Sequence, residues 1–356
     1  MGERGKGVNG DGIERATHET ARHRTSYLVA GPADGPLIVL VHGWPDLAIG
    51  WREQLRTFAA LGFRVVAPDM RGYGGSSVPV EREAYAQREI VADMLELLDG
   101  LGRETAIWVG HDWGAPVVWN IASHHPECCR AVAGLSVPYR TLECGLDALV
   151  ELVDRDLYPE EAYPVGQWDY MLFYEERFER ASAVFEADVE KTVKALFRGG
   201  APEFNGKPAY TAKIRRQGGW FGGGDEAPDL PLDTAVLSAE ELPLYVDALR
   251  RTGFAGGDAW YLNHAANAAY AAEALDGGRL AMPVLFLVGD SEPTCECVRS
   301  RLAEPMVALC ADLTTAVLPS GHWLAQERPT EVNSALAAWL AGPVGALPNL
   351  ALDQTL

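Results

Sequence analysis

The pentapeptide Gly110-His111-Asp112-Trp113-Gly114 constrains this chain more than any other stretch. Ahead of it lies the apolar run Ala106-Ile107-Trp108-Val109, and behind it Ala115-Pro116-Val117-Val118-Trp119-Asn120. The first reads as a strand buried on both faces and the second as a helix. The two glycines make the turn between them tight. A strand–turn–helix unit of this kind belongs to an open α/β sheet, whose ligands bind at the carboxyl ends of its strands. Asp112, at the apex, is carried to that edge, and the helix N-terminus supports a carboxylate there with free amides and its dipole. An aspartate that only capped the helix would not need a glycine on both sides at this spacing.

An apical carboxylate selects its chemistry. Attack on a carbonyl carbon would give a mixed anhydride, a poor route. Attack on an sp³ carbon gives an alkyl ester that water later cleaves. The matching electrophile is an alkyl carbon bearing a leaving group, as in an epoxide or a haloalkane.

The rest of the chain supplies a scaffold for such a site. Strand-like segments at 27–30, 37–41, 64–67, 105–109 and 131–136 alternate with helix-like ones at 51–61, 85–98 and after the apex. From 138 to 281 the pattern turns helical, with helices expected at 150–157, 181–196 and 239–252 between Gly/Pro-rich loops. Gly218-Gly219-Trp220-Phe221-Gly222-Gly223-Gly224 is expected as a mobile loop there. Strand signals return at 284–288 and 314–318, followed by a helix at 331–340. The expected architecture is α/β, a doubly wound, mostly parallel sheet with an inserted helical cap. Its parts are a disordered lead at 1–16, a core at 17–137 and 282–345, a cap domain at 138–281 and a tail at 346–356.

Composition excludes several classes. With 30 Lys+Arg against 50 Asp+Glu, the net charge of −20 repels nucleic acid and anionic membrane. No apolar run approaches the roughly 18 residues of a spanning helix, and residues 1–15 lack the apolar centre of a secretory signal. Six cysteines, at 128, 129, 144, 295, 297 and 310, match no zinc or redox spacing. They read as reduced thiols in a cytoplasmic protein. Eight histidines form no paired-ligand pattern, so no metal and no cofactor is expected. The Asp69-Met70-Arg71-Gly72-Tyr73-Gly74-Gly75-Ser76-Ser77 stretch lacks the ending of a phosphate loop and reads as structural.

Partners for Asp112 come from elsewhere in the sequence. His322, in Pro319-Ser320-Gly321-His322-Trp323, follows the last strand and is the one histidine after His264. That position suits a general base. Its orienting acid is Asp290 or Glu292, in Gly289-Asp290-Ser291-Glu292-Pro293. His42, after the 37–41 strand, reads as a loop-structuring residue, and Pro45 is a candidate for a cis bond. A phenol can donate to the alkoxide of an opening epoxide. Spacing alone does not separate Tyr170 and Tyr261 from Tyr174 or Tyr245.

Four motifs together carry a family likeness: His42-Gly43-Trp44-Pro45, Asp69-x-Arg71-Gly72-Tyr73-Gly74-x-Ser76, Gly110-His111-Asp112-Trp113-Gly114 and Gly321-His322-Trp323. From about residue 25 to 340 the chain resembles the epoxide hydrolase branch of the α/β-hydrolase fold. The resemblance implies Asp112 as nucleophile, His322 as base, and the backbone amides of Trp44 and Trp113 as the oxyanion hole. It also picks out Tyr170, in Trp168-Asp169-Tyr170, and Tyr261, in Trp260-Tyr261, as the tyrosines that donate to the epoxide oxygen. The family writes its acid Gly-x-x-Asp-Pro, which favours Glu292, before Pro293, over Asp290. Glutamate there is a departure that changes the reach to His322. The implied product is a vicinal diol, formed without a cofactor.

The rivals are a haloalkane or haloacid dehalogenase using the same Asp–His pair, and a non-catalytic ligand-binding protein. A dehalogenase of this fold is often expected to carry Asn where Trp44 stands, and a fluoroacetate-type enzyme to carry arginines after the nucleophile, where Trp113 and Pro116 stand. Trp168, Phe173 and Trp260 are expected to bind substrate alongside Trp44 and Trp113, which points to an apolar, aryl-bearing epoxide. The expected partner is that small molecule, with no nucleic acid or membrane, and the expected state is monomer or homodimer.

Overall fold

A computed structural model of the chain describes residues 12–348. The lead at 1–11 and the tail at 349–356 lie outside the described residues.

Continuous apolar runs form the centre of the sheet. The strands are β1 (Glu14–Glu19), β2 (Arg24–Ala30), β3 (Leu37–Val41), β4 (Arg64–Pro68), β5 (Ala106–His111), β6 (Cys129–Leu135), β7 (Leu280–Gly289) and β8 (Cys310–Leu318). Every residue of β3 and β5 is buried, as expected for strands covered on both faces. The spatial order is β1-β2-β4-β3-β5-β6-β7-β8. β1 and β2 pair antiparallel, as do β2 and β4, and all later pairs are parallel.

Side chains alternate across the sheet and build two cores. Ile38, Leu40, Ile107 and Val109 face Trp51, Leu55 and Phe58 and, from the last helix (Pro329–Ala341), Leu336 and Trp339. Val39, Val41 and Trp108 face Ile90, Met94 and Leu97 of helix Gln87–Gly100, and Val117, Val118 and Ile121 of helix Gly114–His124. Helices on both faces make the sheet doubly wound.

Between β6 and β7 the described chain is helical and loop-like throughout. Three expectations there need correction. The helix expected at 150–157 runs instead over Gly145–Glu151. Asp154 Oδ1 accepts from the amides of Asp156 and Leu157, a local turn that competes with helix. The single helix expected at 181–196 is two, Asp169–Glu186 and Val189–Leu196. Asp188 caps the second by accepting from Lys191 N at 3.1 Å. The helix expected from 239 starts at Leu242. Ser238 N donates to Glu241 Oε2 at 2.8 Å and Glu241 N to Ser238 Oγ at 3.3 Å, so residues 239–241 form a turn that leads into the helix.

Two end segments also differ. Residues 14–16, expected in the lead, belong to β1, which pairs along β2 while Arg15 Nη1 donates to Asp69 Oδ2 at 2.7 Å and Ser26 Oγ at 2.8 Å. Ala346, expected in the tail, is buried against the core.

Candidate active site

Asp112 sits at the apex between β5 and its helix with φ of 50°, a left-handed conformation that is uncommon outside glycine. Close packing holds the turn in this form. A Cβ on Gly110 would lie 2.2 Å from Gly114 O, and one on Gly114 would lie 2.1 Å from Val41 O. The glycines on both sides of Asp112 are thus required by the turn. Gly43 is constrained in the same way, since a Cβ there would meet Asp112 Oδ1 at 2.3 Å.

The loop after β3 passes over the carboxylate. Trp44 N donates to Asp112 Oδ1 at 2.6 Å, and the Trp113 amide also bonds the carboxylate. The Trp44–Pro45 peptide is cis. His42 is pinned at both ring nitrogens: Nδ1 donates to Gly43 O at 2.9 Å while Nε2 accepts from Met70 N at 2.9 Å. It shapes the loop and has no free nitrogen to act as a base.

The last two parallel strands deliver the other members. Past β8, His322 points Nε2 at Asp112 Oδ2, 3.6 Å away, and donates from Nδ1 to Glu292 Oε2 at 2.8 Å. Glu292 follows β7, and its Oε1 accepts from the amides of Thr294 and Cys295, both at 3.2 Å. Asp290 does not reach His322; its Oδ1 accepts from Ser291 Oγ at 2.9 Å. The longer glutamate therefore spans to the imidazole. The His322 carbonyl accepts from His111 Nε2 at 2.8 Å and from Ser136 Oγ at 3.2 Å. Sequence reasoning gave His111 no role. Its second motif position, next to the apex, is the signal that was available.

Charge in the site follows from burial and pairing. Burial pushes the Asp112 carboxyl up to about 6, against the pull of His322 and the Trp113 and Trp44 amides. Burial opposes an imidazolium at His322, but Glu292 and then Asp112 outweigh it and raise that pKa to about 9. Burial likewise opposes the charge on Glu292, and His322 overcomes it and holds that carboxyl below its ordinary value. His111, buried and facing the His322 cation, is held neutral with a pKa lowered to about 3.

A cavity of about 1050 Å³ opens over Asp112 and His322. Tyr170 and Tyr261 line it, with ring centroids 5.4 Å apart. Burial raises both phenols well above their ordinary value. The two alternatives are engaged elsewhere. Tyr245 donates to Asp46 Oδ1 at 2.5 Å, and Tyr174 lies outside the lining, stacked on Tyr261 with centroids 4.7 Å apart.

The expected aromatic walls need correction. Trp44 lines the cavity, but Trp113, Trp168, Phe173 and Trp260 do not. Trp260 donates its indole N–H to Arg71 O at 3.1 Å, and Trp168 and Phe173 are buried in the packing of the helical segment. The walls are Leu157, Tyr158, Leu196, Tyr210, Trp220 and Phe221. Trp220 and Phe221 come from the glycine-rich stretch. There Phe221 and Gly222 adopt φ of 53° and 71°, so the glycines let the chain turn two aromatic rings inward.

All six cysteines are free thiols. Among the described residues no cluster of three or more His, Cys, Asp or Glu side chains is arranged to hold a metal ion, and no helix is long and apolar enough to cross a membrane.

This sheet, with Asp112 at the β5 apex and Glu292 and His322 after its last two strands, defines a protein of the α/β-hydrolase fold with a carboxylate at the apex. Residues 36–329 match the family model described as alpha/beta hydrolase fold. Epoxide hydrolase A of Mycobacterium tuberculosis is 36% identical over 322 residues, covering 90% of this chain and 94% of that protein. Bifunctional epoxide hydrolase 2 of Sus scrofa is 32% identical over 86% of this chain, which spans only 51% of that longer protein. Among solved structures, epoxide hydrolase A from Mycobacterium thermoresistibile superposes with a TM-score of 0.74 at 34% identity, covering 93% of this chain and 98% of that one. An epoxide hydrolase from an endophytic Streptomyces gives 0.76 at 30% identity, covering 95% and 98%. The chain belongs to the epoxide hydrolases of the α/β-hydrolase fold family.

Proposed function

We propose that the protein adds water to a small-molecule epoxide and releases a vicinal diol, with Asp112 as nucleophile and His322 as base. The observation that carries this reading is that Asp112, His322, Tyr170 and Tyr261 all line one cavity. The carboxylate attacks a ring carbon as the carbon–oxygen bond breaks, and a tyrosine hydroxyl gives its proton to the leaving oxygen. A hydroxyalkyl ester then occupies Asp112. Ester formation removes the aspartate charge, one of the groups that hold the proton on His322. The imidazolium then returns a proton to the tyrosinate and becomes a base. Oriented by Glu292, it takes a proton from water, and the resulting hydroxide adds to the ester carbonyl. The amides of Trp44 and Trp113 hold the oxyanion. Collapse expels the diol oxygen, which takes the proton left on the carboxyl group. Asp112 is again a carboxylate beside a protonated His322, so the cycle closes.

In this reading residues 138–281 act as a cap domain over a core made of 17–137 and 282–345. The apolar walls suit an epoxide with a bulky apolar substituent. The net charge of −20 and six free thiols suit a cytoplasmic monomer or homodimer that binds neither nucleic acid nor membrane. A parallel assay with aryl and aliphatic epoxides and 1-haloalkanes, quantifying diol and halide, tests the activity. Diol without halide, abolished in Asp112→Asn, is the expected result. Halide without diol would favour the dehalogenase. Retained ligand binding with neither product would favour a non-catalytic binder.

A further inference from the structure

Trp44 is gripped from two sides. Its backbone amide belongs to the β3 loop and donates to Asp112 Oδ1 at 2.6 Å. Its indole Nε1 donates to Asp258 Oδ1 at 2.9 Å. Asp258 ends the short helix Ala255–Asp258 of the helical segment and is fully buried. Its other oxygen accepts from Ser182 Oγ at 2.7 Å. Among the described residues no cation pairs with it, so a buried carboxyl is kept here on neutral donors alone, an unfavourable arrangement for stability. The Trp44 ring packs against Phe185, Trp220 and Tyr261, with centroids 5.4, 5.9 and 5.9 Å away. The contacts that fix the side chain thus come from the helical segment, while the amide serves Asp112.

We infer that Asp258 is a positioning residue for the second chemical step, holding the Trp44 amide over Asp112 by way of the indole. The inference rests on the two-step reading above. During alkylation the charge on the aspartate falls, so an amide donor there stabilises the ground state at least as well as the transition state. During ester hydrolysis negative charge builds on the same oxygen, and a displaced amide raises that barrier. Slowing the second step alone lowers kcat and KM together and leaves kcat/KM, which reports alkylation, unchanged.

The test compares full-length wild type, Asp258→Ala, Asp258→Asn and Trp44→Phe with styrene oxide, combined with intact-protein mass spectrometry. Asparagine still offers a carbonyl oxygen to the indole and an amide to Ser182 Oγ. In Asp258→Ala, kcat is expected to fall about 10-fold or more, the scale for loss of an outer partner of a catalytic group. KM should fall in step, kcat/KM should stay within about twofold, and the ester adduct should accumulate. Asp258→Asn should restore turnover, and Trp44→Phe, which keeps the amide and deletes the indole donor, should also accumulate the ester adduct. Parallel loss of kcat and kcat/KM in folded Asp258→Ala, or an asparagine variant no better than alanine, would overturn the role. A wild type that makes diol without an ester on Asp112 would overturn the two-step reading itself, and this role with it.

Discussion

Asp112 Oδ2 and His322 Nε2 face each other across 3.6 Å. The gap exceeds a hydrogen bond but suits an ion pair, so the Asp112 carboxylate adds to the larger pull of Glu292 that keeps His322 charged. Replacing His322 by Gln should leave alkylation intact and stop hydrolysis. The expected outcome is one equivalent of epoxide consumed, a protein mass increased by that epoxide, and a kcat at least about 10²-fold lower. An unmodified protein after incubation would contradict it.

Glu292 rather than Asp290 reaches the imidazole, through a 2.8 Å bond. Glu292→Gln should lower kcat by about 10²-fold or more, whereas Asp290→Asn should stay within about twofold of wild type. The stability profile offers a second readout. The His322 pKa is raised from 6.5 to about 9 in the folded state. Its contribution to stability is therefore fully present below pH 6.5 and lost as pH rises through 9. Thermal unfolding between pH 7 and 10 should show that alkaline loss in wild type and a smaller one in Glu292→Gln.

With Asp112 as the proposed nucleophile, activity should have an acid limit set by its carboxyl. With the Asp112 pKa raised to about 6, the carboxylate is protonated and inert below that pH. The profile of kcat/KM should rise with pH through about 6, as read from initial rates on one epoxide. A limb near pH 4, the ordinary carboxyl range, would show that burial does not hold the nucleophile up.

Tyr170 and Tyr261 share the cavity, and burial keeps both protonated at any working pH. Each Tyr→Phe variant should lose about 10²-fold in kcat/KM, and the double variant should lose measurable alkylation. An intact-protein mass time course reads this directly, because the ester should then fail to form even in the His322→Gln background.

Stability rests in part on a buried fork between Arg71 and Asp93. Arg71 Nε and Nη2 donate to the two Asp93 oxygens at 2.7 and 2.6 Å, with Arg71 5% and Asp93 1% exposed. Asp93→Ala strands the guanidinium and should cost about 3–5 kcal/mol, measured as a lower midpoint in urea. A loss below about 1 kcal/mol would mean that the pair contributes no more than an exposed one.

The sheet was legible because its strands carry their own pattern: five apolar residues in 37–41, and an aspartate between two glycines after Val109. The Asp112–His322 relationship was legible for the same reason, since each lies directly after a recognisable strand. The acid was left between Asp290 and Glu292 by the residues alone, because the choice depends on how one side chain extends from a loop. The cavity walls were not legible. Trp44, Leu157, Trp220 and Tyr261 meet only through tertiary packing, and Trp168 and Trp260, equally aromatic, point into the protein interior. The break after Glu186 was hidden because Asp188 acts as a cap only once the chain has turned. β1 was hidden because its polar residues gain their structure from pairing with β2.

The central claim is a covalent ester on Asp112, and isotope tracing of a single turnover tests it most directly. Excess enzyme would meet one epoxide in water enriched in oxygen-18, and the diol and the peptide carrying Asp112 would both be analysed by mass spectrometry. The account predicts an unlabelled diol from the first turnover and the label in the Asp112 carboxyl group. A labelled diol with an unlabelled Asp112 would mean that water attacks the epoxide directly, and would contradict it.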